Sequence, residues 1–317
     1  MLPLWCELTA PGRIDSTSDL LATIAFGGSV DSGAAPAGGA ASPLTTINLP
    51  PLAEPLLEVW RTSDPVTRGS RGAITFAHTD RVLIGALGRE ASDVEAAGEW
   101  AFDQIIEFAR TSGYPHLLRI WNHVGGINEI EGETERYRSF CAGRYESFAR
   151  HGYALRTDLP AASSVGMRGH GYQAYFIASK EPGVQIENPR QVSAYDYPPQ
   201  YGRRSPSFSR ATVLRDGGES LVFVAGTASI VGHETQHAGD VCKQTEETLR
   251  NIARVLETAG ATLGDLVMAK AYVRRTEDCP AVQSHLREAL RDTPVLYVLA
   301  DVCRADLLVE VEGVARR

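Results

Sequence analysis

The sequence has few cysteines, and none of them forms a CxxC pair. Its five cysteines lie far apart, at Cys6, Cys141, Cys242, Cys279 and Cys303. An odd number of scattered cysteines is typical of reduced thiols in a cytosol, and it does not supply the closely spaced thiolates of a structural zinc site. We therefore expect a cytoplasmic protein that binds no zinc.

Long hydrophobic runs are also missing. No apolar run approaches the ~20 residues that a membrane-spanning helix needs, and residues 1–21 lack the basic region and apolar core of a secretory signal. Basic residues are in the minority, with 31 Lys and Arg against 39 Asp and Glu, so the formal net charge is -8. This charge argues against nucleic-acid binding and means that an anionic substrate needs cations gathered at its site.

The composition that remains is that of an ordinary globular protein, with 43% hydrophobic and 22% charged residues. The length of 317 residues exceeds the roughly 100–200 residues usual for one domain and predicts two. We place the boundary in the Pro- and Tyr-rich linker 195–206, which gives domains 1–200 and 201–317. Small residues, Pro and Gly at 31–43 (DSGAAPAGGAASP) predict a flexible loop in the first domain.

Hydrophobic periodicity predicts the same order of elements twice. In the first half it predicts two strands within 73–87, a helix at 94–112, a strand at 117–122, a helix at 134–151 and a strand at 170–179. In the second half it predicts strands at 211–214 and 221–225, a helix at 241–259, a strand at 267–274, a helix at 279–290 and strands at 295–302 and 307–314. The sequence thus predicts an α+β fold of two pseudo-duplicated β-β-α-β units, with helices on one face of each sheet.

The second half resembles the small trimeric deaminases that act on reactive imine intermediates. The resemblance rests on LRNIARVLETAGATLGDLVMAKAYVRR at 249–275 and on LLVEVEGVA at 307–315. Those deaminases carry a substrate-binding Arg just after the Pro that precedes the penultimate strand, but here Pro294 is followed by Val295. The resemblance therefore implies a deaminase-like fold without the deaminase reaction.

Nearly the whole chain resembles the chorismatases, which join two such domains in one polypeptide. Six blocks in order carry the resemblance: RIWNHVGGIN (119–128), FCAGR (140–144), YPPQYGRRSPSFSRAT (197–212), FVAGTASIVGH (223–233), AYVRR (271–275) and CRADLLVEVEG (303–313). The resemblance implies an enzyme that releases pyruvate from chorismate with neither a metal nor an organic cofactor. Its only expected partner is this small molecule, and the chain is expected to be a monomer or a small homo-oligomer.

The reaction needs an acid, because the enolpyruvyl ether breaks after its vinyl carbon is protonated. A carboxyl group supplies this proton at neutral pH only if burial raises its pKa. The resemblance puts the catalytic acid at Glu310. The alternating pattern alone is equally compatible with Glu310 and Glu312 lying on the solvated face of an edge strand. Because residues two apart lie on the same face of a strand, the pattern does not choose between the two glutamates.

The two carboxylates of chorismate call for arginines, whose planar guanidinium group binds a carboxylate through two hydrogen bonds. The matched blocks supply three candidate arginines and five further candidates for substrate contacts. These are Arg144, Arg210 and Arg274, with Tyr197, Tyr201, Thr227, Lys270 and Tyr272.

Gly226 and Cys303 distinguish two branches of the resembled family. The pair Gly and Cys implies the branch that forms 3-hydroxybenzoate, whereas Ala at both positions is typical of the hydrolytic branch, which forms a dihydroxycyclohexadiene carboxylate. The interpretation is that Gly226 leaves room for the ring and that the Cys303 thiol supplies a weak hydrogen bond. Hydrolysis, a mixed 3- and 4-hydroxybenzoate output, and a non-catalytic ligand-binding protein remain the alternatives.

The histidines and glycines do not form a pattern typical of cofactor binding. His233 and His237 are four residues apart, a spacing that binds metal on a helix, but the segment reads as a loop with no further ligand. The glycine-containing stretches 123–128 and 224–229 lack the spacing of nucleotide-binding loops. We therefore expect no metal and no nucleotide.

Overall fold

The computed structural model of the chain describes residues 4–14, 17–27 and 44–317. The stretch 31–43, predicted to be a flexible loop, lies outside the described residues. The described part of the chain forms three sheets and four α-helices, together with two short hairpins. None of these helices is long and apolar enough to cross a membrane.

The first sheet, here called the N-terminal sheet, has four strands in the order β1-β4-β2-β3. Its strands are β1 (Leu4–Thr9), β2 (Leu20–Phe26), β3 (Thr45–Ile47) and β4 (Leu57–Thr62). The sequence did not predict this sheet. It adds a third layer to the two units that hydrophobic periodicity indicates.

The second sheet, here called the first central sheet, has six strands in the order β11-β8-β12-β7-β6-β5. This part of the chain contains β5 (Thr67–Arg71), β6 (Ile74–His78), β7 (Val82–Glu90), α1 (Val94–Thr111), β8 (His116–Gly125), the hairpin β9 (Ile130–Glu131) and β10 (Thr134–Glu135), α2 (Arg136–Arg150), β11 (Ala161–Met167) and β12 (Gly171–Ser179). The Asp93 side chain caps α1 by accepting a hydrogen bond from the Ala96 amide. Both predicted helices are present, whereas β11 was not predicted.

The third sheet, here called the second central sheet, also has six strands, in the order β13-β14-β15-β20-β18-β19. Its part of the chain contains β13 (Val184–Ile186), β14 (Ala211–Asp216), β15 (Glu219–Ala228), the hairpin β16 (Ile230–Val231) and β17 (Glu234–Thr235), α3 (Val241–Ala259), β18 (Leu266–Val273), α4 (Cys279–Leu290), β19 (Val295–Leu299) and β20 (Val309–Arg316). The last strand begins at Val309 and not at 307 as predicted. Strand β13 lies before residue 200 but pairs with β14 of the second central sheet. The boundary at residue 200 therefore stays a prediction.

The helices cover one face of each central sheet, and the opposite faces meet in a shared core. Helices α1 and α2 bury side chains such as Phe102 and Phe140 against the first central sheet, and α3 and α4 bury side chains such as Val255 and Leu286 against the second. The shared core combines Trp60 of the N-terminal sheet with side chains from both central sheets. The predicted α+β architecture, with helices on one face of each sheet, is confirmed.

Candidate active site

A cavity of ≈ 350 Å³ lies where the two central sheets meet. Its walls come from the start of α2, from β11, from the linker before β14, from β15 and β16, and from the loop before β20. The lining residues are Glu135, Tyr137, Arg138, Ala162, Ser163, Ser164, Tyr197, Tyr201, Pro206, Phe208, Arg210, Gly226, Ala228, Ile230, Cys303, Arg304, Ala305, Asp306 and Glu310. Six of the predicted site residues line this cavity: Tyr197, Tyr201, Arg210, Gly226, Cys303 and Glu310.

Glu310 lies at the floor of the cavity on β20, between β15 and β18. Its side chain is buried, and among the described residues no group donates a hydrogen bond or forms an ion pair with its carboxyl. Burial, and next the negative charge of Glu312, raises the pKa of Glu310 from 4.5 to about 8. Glu310 is therefore a neutral carboxylic acid at pH 7, in contact with the cavity and able to donate a proton.

Glu312, two residues further on, is buried in a different environment. Its carboxylate accepts hydrogen bonds from Arg119 Nη2 at 2.6 Å and Trp121 Nε1 at 2.6 Å, and it pairs with Lys270 Nζ at 2.7 Å. Burial raises the pKa of Glu312, but Lys270 and Arg119 outweigh it and lower the pKa to about 2. The two glutamates do not share a solvated face, because β20 is a central strand and both side chains are buried.

Lys270 is predicted to contact substrate, but it points away from the cavity. It is fully buried, and its Nζ lies 2.7 Å from Glu58 of the N-terminal sheet and 2.7 Å from Glu312. Glu58 also accepts a hydrogen bond from Trp60 Nε1 at 2.7 Å. Lys270 therefore belongs to a buried ionic network, because its charge is paired with the carboxylates of both Glu58 and Glu312.

Tyr272 and Thr227 also do not line the cavity, although both were predicted to contact substrate. Tyr272 is fully buried, and its hydroxyl has no hydrogen-bond partner among the described residues. The Thr227 hydroxyl donates to the Ala225 carbonyl oxygen at 2.8 Å within its own strand. Both side chains are buried in the protein interior.

Three arginines, Arg138, Arg210 and Arg304, line the cavity, and Arg138 is paired with Glu135 at 3.5 Å. Arg210 is buried and donates through Nη2 to the Tyr197 hydroxyl at 2.9 Å, while its Nε has no partner among the described residues. Arg304 donates through Nη1 to the His233 carbonyl oxygen at 2.9 Å, and its guanidinium lies 4.2 Å from the centre of the Tyr201 ring. Both can meet an anionic ligand. Arg304 was not predicted, although it stands beside Cys303 in a quoted block.

Arg144 and Arg274, the other predicted arginines, do not line the cavity. Arg144 on α2 is fully buried 6.0 Å from the ring centre of Phe208, a cavity residue, and its Nε and Nη1 lack partners among the described residues. Arg274 directs its five N–H groups to five protein oxygens, three of them carbonyls in the loop 302–307. Arg274 therefore holds the loop that carries Cys303 and has no donor left for a ligand.

Gly226 lies directly beneath the acid. A Cβ atom at this position would be 2.0 Å from Oε1 of Glu310 and 2.9 Å from Oγ of Ser163. These distances are too short for any side chain, so the Glu310 carboxyl occupies the space that the missing side chain leaves. The sequence predicts that this space accommodates the substrate ring, but in the structure the acid fills it.

Cys303 is a half-buried thiol in the cavity wall. Burial, and next the charge of Glu310, raises its pKa to about 12. The side chain is therefore a protonated thiol at pH 7, which makes it a weak hydrogen-bond donor and not a thiolate nucleophile.

Several cavity residues were not predicted. Ser163 and Ser164 lie on β11, whose sequence AASSVGM has no hydrophobic alternation, and Tyr137 and Phe208 resemble ordinary core aromatics. Arg304 and Phe208 do have a sequence signal, because they lie in the blocks 303–313 and 197–212. His233 bonds through Nδ1 to the Tyr201 hydroxyl at 3.1 Å, and within the described ranges no three metal-ligating side chains lie together.

Comparison with known proteins gives one consistent result. Residues 58–178 match the family described as "Chorismatase FkbO/Hyg5-like, N-terminal", and residues 205–317 match the family "Endoribonuclease L-PSP". The chain is 44% identical to a 3-hydroxybenzoate synthase of Streptomyces hygroscopicus, over 83% of this chain and 82% of that protein. It is 40% identical to a chorismatase of Streptomyces rapamycinicus, over 82% of each. A solved chorismatase structure superposes with a TM-score of 0.90 at 32% identity, over 98% of both chains.

Proposed function

This chain belongs to the chorismatase family, and from that premise we propose that it converts chorismate to 3-hydroxybenzoate and pyruvate. The observation that carries the proposal is a buried, protonated carboxyl group, Glu310, exposed only toward a cavity of ≈ 350 Å³. The same cavity contains Gly226 and Cys303, the pair that is typical of the branch forming 3-hydroxybenzoate.

The first step is protonation of the enolpyruvyl group. Arg210 and Arg304 are the cations that attract the two carboxylates of chorismate. Glu310 transfers its proton to the vinyl methylene, which becomes a methyl group, and the adjacent carbon becomes an oxocarbenium ion. The Glu310 carboxylate left behind is close to this cation and stabilises it.

In the second step the ring hydroxyl displaces the ether oxygen at the neighbouring ring carbon. The bond between that carbon and the ether oxygen breaks, and the departing oxygen becomes the carbonyl oxygen of pyruvate. The hydroxyl proton returns to Glu310. The epoxide then opens, with the Cys303 thiol near enough to donate a hydrogen bond, and loss of one ring proton gives 3-hydroxybenzoate. No water is consumed or released.

The second candidate function is hydrolysis, in which water attacks the oxocarbenium ion and gives the diol and pyruvate. A mixed output of 3- and 4-hydroxybenzoate is a variant of the first route. Both routes use the same acid, so pyruvate release tests the family function and the ring product tests the branch. A ligand-binding protein without turnover would release no pyruvate at all.

The experiment is incubation of the purified chain with chorismate. Pyruvate is measured by coupled lactate dehydrogenase, and the ring product is identified by chromatography against 3-hydroxybenzoate, 4-hydroxybenzoate and the diol. Glu310→Gln should lower pyruvate release by about 10²–10⁴-fold, because an amide cannot protonate carbon. Glu247→Gln is the matched control, since Glu247 is also buried but lies on α3 outside the cavity. A wild-type chain that releases no pyruvate refutes the proposed function.

The setting of the reaction is part of the proposal. We propose that the chain acts in the cytoplasm on a free small molecule, consistent with its free cysteines. The shared core unites all three sheets within one chain, so the fold does not require a second copy. Light scattering on the purified protein distinguishes a monomer from a small homo-oligomer.

A further inference from the structure

Five charged or titratable side chains are buried together at the meeting point of the three sheets. Glu58 comes from the N-terminal sheet, Arg119 from the first central sheet, and Lys270, Glu310 and Glu312 from the second. Their exposed fractions are 0%, 1%, 0%, 4% and 2%, respectively. A buried charge without an opposite partner is strongly unfavourable, so the charge balance of this group constrains the protonation of every member.

The ion pairs in this group leave one carboxyl without a cation. Lys270 pairs with both Glu58 and Glu312 at 2.7 Å, and Arg119 pairs with Glu312 at 2.6 Å. Two cations and two carboxylates therefore balance without Glu310. Ionisation of Glu310 would add an uncompensated negative charge beside Glu312.

We propose that Glu312 is a positioning residue for the proton-transfer step: as the permanent counter-ion of Arg119 and Lys270, it leaves Glu310 no cation partner and so keeps it protonated. This proposal rests on the proposed function of Glu310 as the acid. It assigns a role in the reaction to a residue that does not line the cavity. The Ser163 hydroxyl, which lines the cavity and bonds to both Glu312 and Arg119, joins the ion pair to the site.

Several elements around Glu310 contribute to its charge environment. The titratable or charged groups that act on it are Glu312 on its own strand, Arg119 on β8, Arg210 before β14, Tyr272 on β18 and Cys303 in the preceding loop. The two arginines favour the ionised form of Glu310. Arg119 is nevertheless ion-paired with Glu312, and Arg210 donates hydrogen bonds to the Tyr197 hydroxyl and the Val192 carbonyl oxygen.

Removal of the Glu312 charge should reverse this arrangement. In Glu312→Gln, Arg119 loses its counter-ion, and ionised Glu310 becomes the nearby anion that balances it. The protein can then fold with its charges compensated, but it has lost the proton that the reaction needs. The alkaline limb of the kcat/KM profile, expected near pH 8 in the wild type, should move down by at least two units. Activity should then fall by about 50-fold or more at pH 8, where half of the wild type is already ionised, and much less at pH 5.

A second substitution should rescue this defect. In the double variant Arg119→Met with Glu312→Gln, one cation and one anion disappear together, and Glu58 still balances Lys270. Glu310 is again a carboxyl group without an unpaired cation, so the alkaline limb should return toward pH 8. A purely structural role for Glu312 predicts no rescue, because the double variant loses more contacts than the single one.

The control variant is Glu247→Gln. Glu247 is buried like Glu312 and is held by two arginines, Arg190 at 2.5 Å and Arg250 at 2.9 Å, but it lies on α3 away from the cavity. It tests the general effect of removing a doubly paired, buried glutamate. We expect its pH profile to keep the wild-type shape.

The test combines pH profiles with a direct titration of Glu310. Profiles of pyruvate release are measured for the wild type, Glu312→Gln, the double variant and Glu247→Gln. The carbonyl band of protonated Glu310 is followed by infrared difference spectra, with Glu310→Gln as the blank. A lower titration midpoint in Glu312→Gln and its return in the double variant support the proposal. An unchanged midpoint in a folded Glu312→Gln, or an equal loss of activity at every pH, overturns it.

Two further outcomes remain decisive. If Glu312→Gln alone does not fold, Glu310 is titrated in the charge-balanced double variant instead. A titration midpoint of Glu310 far below pH 8 in that variant overturns the proposal. The infrared titration needs no turnover. A wild type that releases no pyruvate therefore refutes the proposed function, while the spectra still decide whether Glu312 controls the protonation of Glu310.

Discussion

The buried acid should destabilise the folded protein in a manner that depends on pH. The pKa of Glu310 is about 8 in the folded chain, compared with 4.5 for an ordinary glutamate. Between these two pH values the folded chain keeps a proton that the unfolded chain releases, so stability present below pH 4.5 is lost as the pH rises through 8. At about 1.4 kcal/mol per unit, the loss amounts to about 3–5 kcal/mol. Glu310→Gln has the shape of the protonated acid but cannot ionise, so it should avoid this loss.

Urea unfolding at pH 5, 6.5 and 8 measures the effect. The free energy of unfolding of Glu310→Gln minus that of the wild type should rise by about 3–4 kcal/mol from the lowest to the highest pH. Glu247→Gln should instead give a difference that is constant over this range, because Arg190 and Arg250 lower the pKa of Glu247. A constant or falling difference for Glu310→Gln would mean that Glu310 is already ionised at neutral pH, which would refute its role as the acid.

Four further substitutions test the walls of the cavity and the loop that carries Cys303. Arg210→Ala should weaken binding of chorismate and of a competitive dicarboxylate by about 2–5 kcal/mol; unchanged inhibition constants would remove Arg210 from the site. Cys303→Ala should shift the chromatographic product ratio toward the diol at nearly unchanged pyruvate release, whereas Gly226→Ala should also slow release by about 10²-fold, because its Cβ displaces the Glu310 carboxyl. Arg274→Ala should lower the free energy of unfolding by about 2–3 kcal/mol and raise KM, because the loop that carries Cys303 loses its hydrogen bonds; an unchanged KM would contradict this role.

The elements that the sequence predicts well are those whose hydrophobic pattern is local. Helix α3 was predicted at 241–259 and is found at Val241–Ala259, with Asp240 capping its first turn and Gly260 ending it in a left-handed conformation. Its apolar stripe is set by neighbours three and four residues away. Such a pattern is complete within one window of sequence.

The elements that were missed depend on distant partners. Strand β1 pairs with β4 about fifty residues later, and nothing in either strand specifies the other. Strand β11 consists of small and hydroxyl-bearing residues, yet most of it is buried because β8 pairs with it and the second central sheet packs beside it. Burial of small polar residues is decided by the neighbours, and the sequence pattern of β11 carries no sign of it.

The candidate site divides in the same way. The family resemblance selects segments, and within each segment some side chains face the cavity while others face the ionic network. Lys270 on β18 and Arg274, which directly follows that strand, are both predicted to contact substrate, yet Lys270 pairs with Glu58 and Arg274 holds a loop. The resemblance therefore marks residues that matter to the site without separating those that touch a ligand from those that support it.

The two glutamates of β20 show what decides whether a side chain contacts the ligand or supports the site. They are two residues apart on one face of one strand, yet the pKa of Glu310 is raised to about 8 and that of Glu312 is lowered to about 2. The difference comes from register: β18 places Lys270 opposite Glu312 and Tyr272 opposite Glu310. Arg119, on β8 of the first central sheet, also pairs with Glu312. The identity of the acid is thus fixed by the register of β18 and β20 and by the contact between the two central sheets, which the alternating sequence of β20 cannot specify.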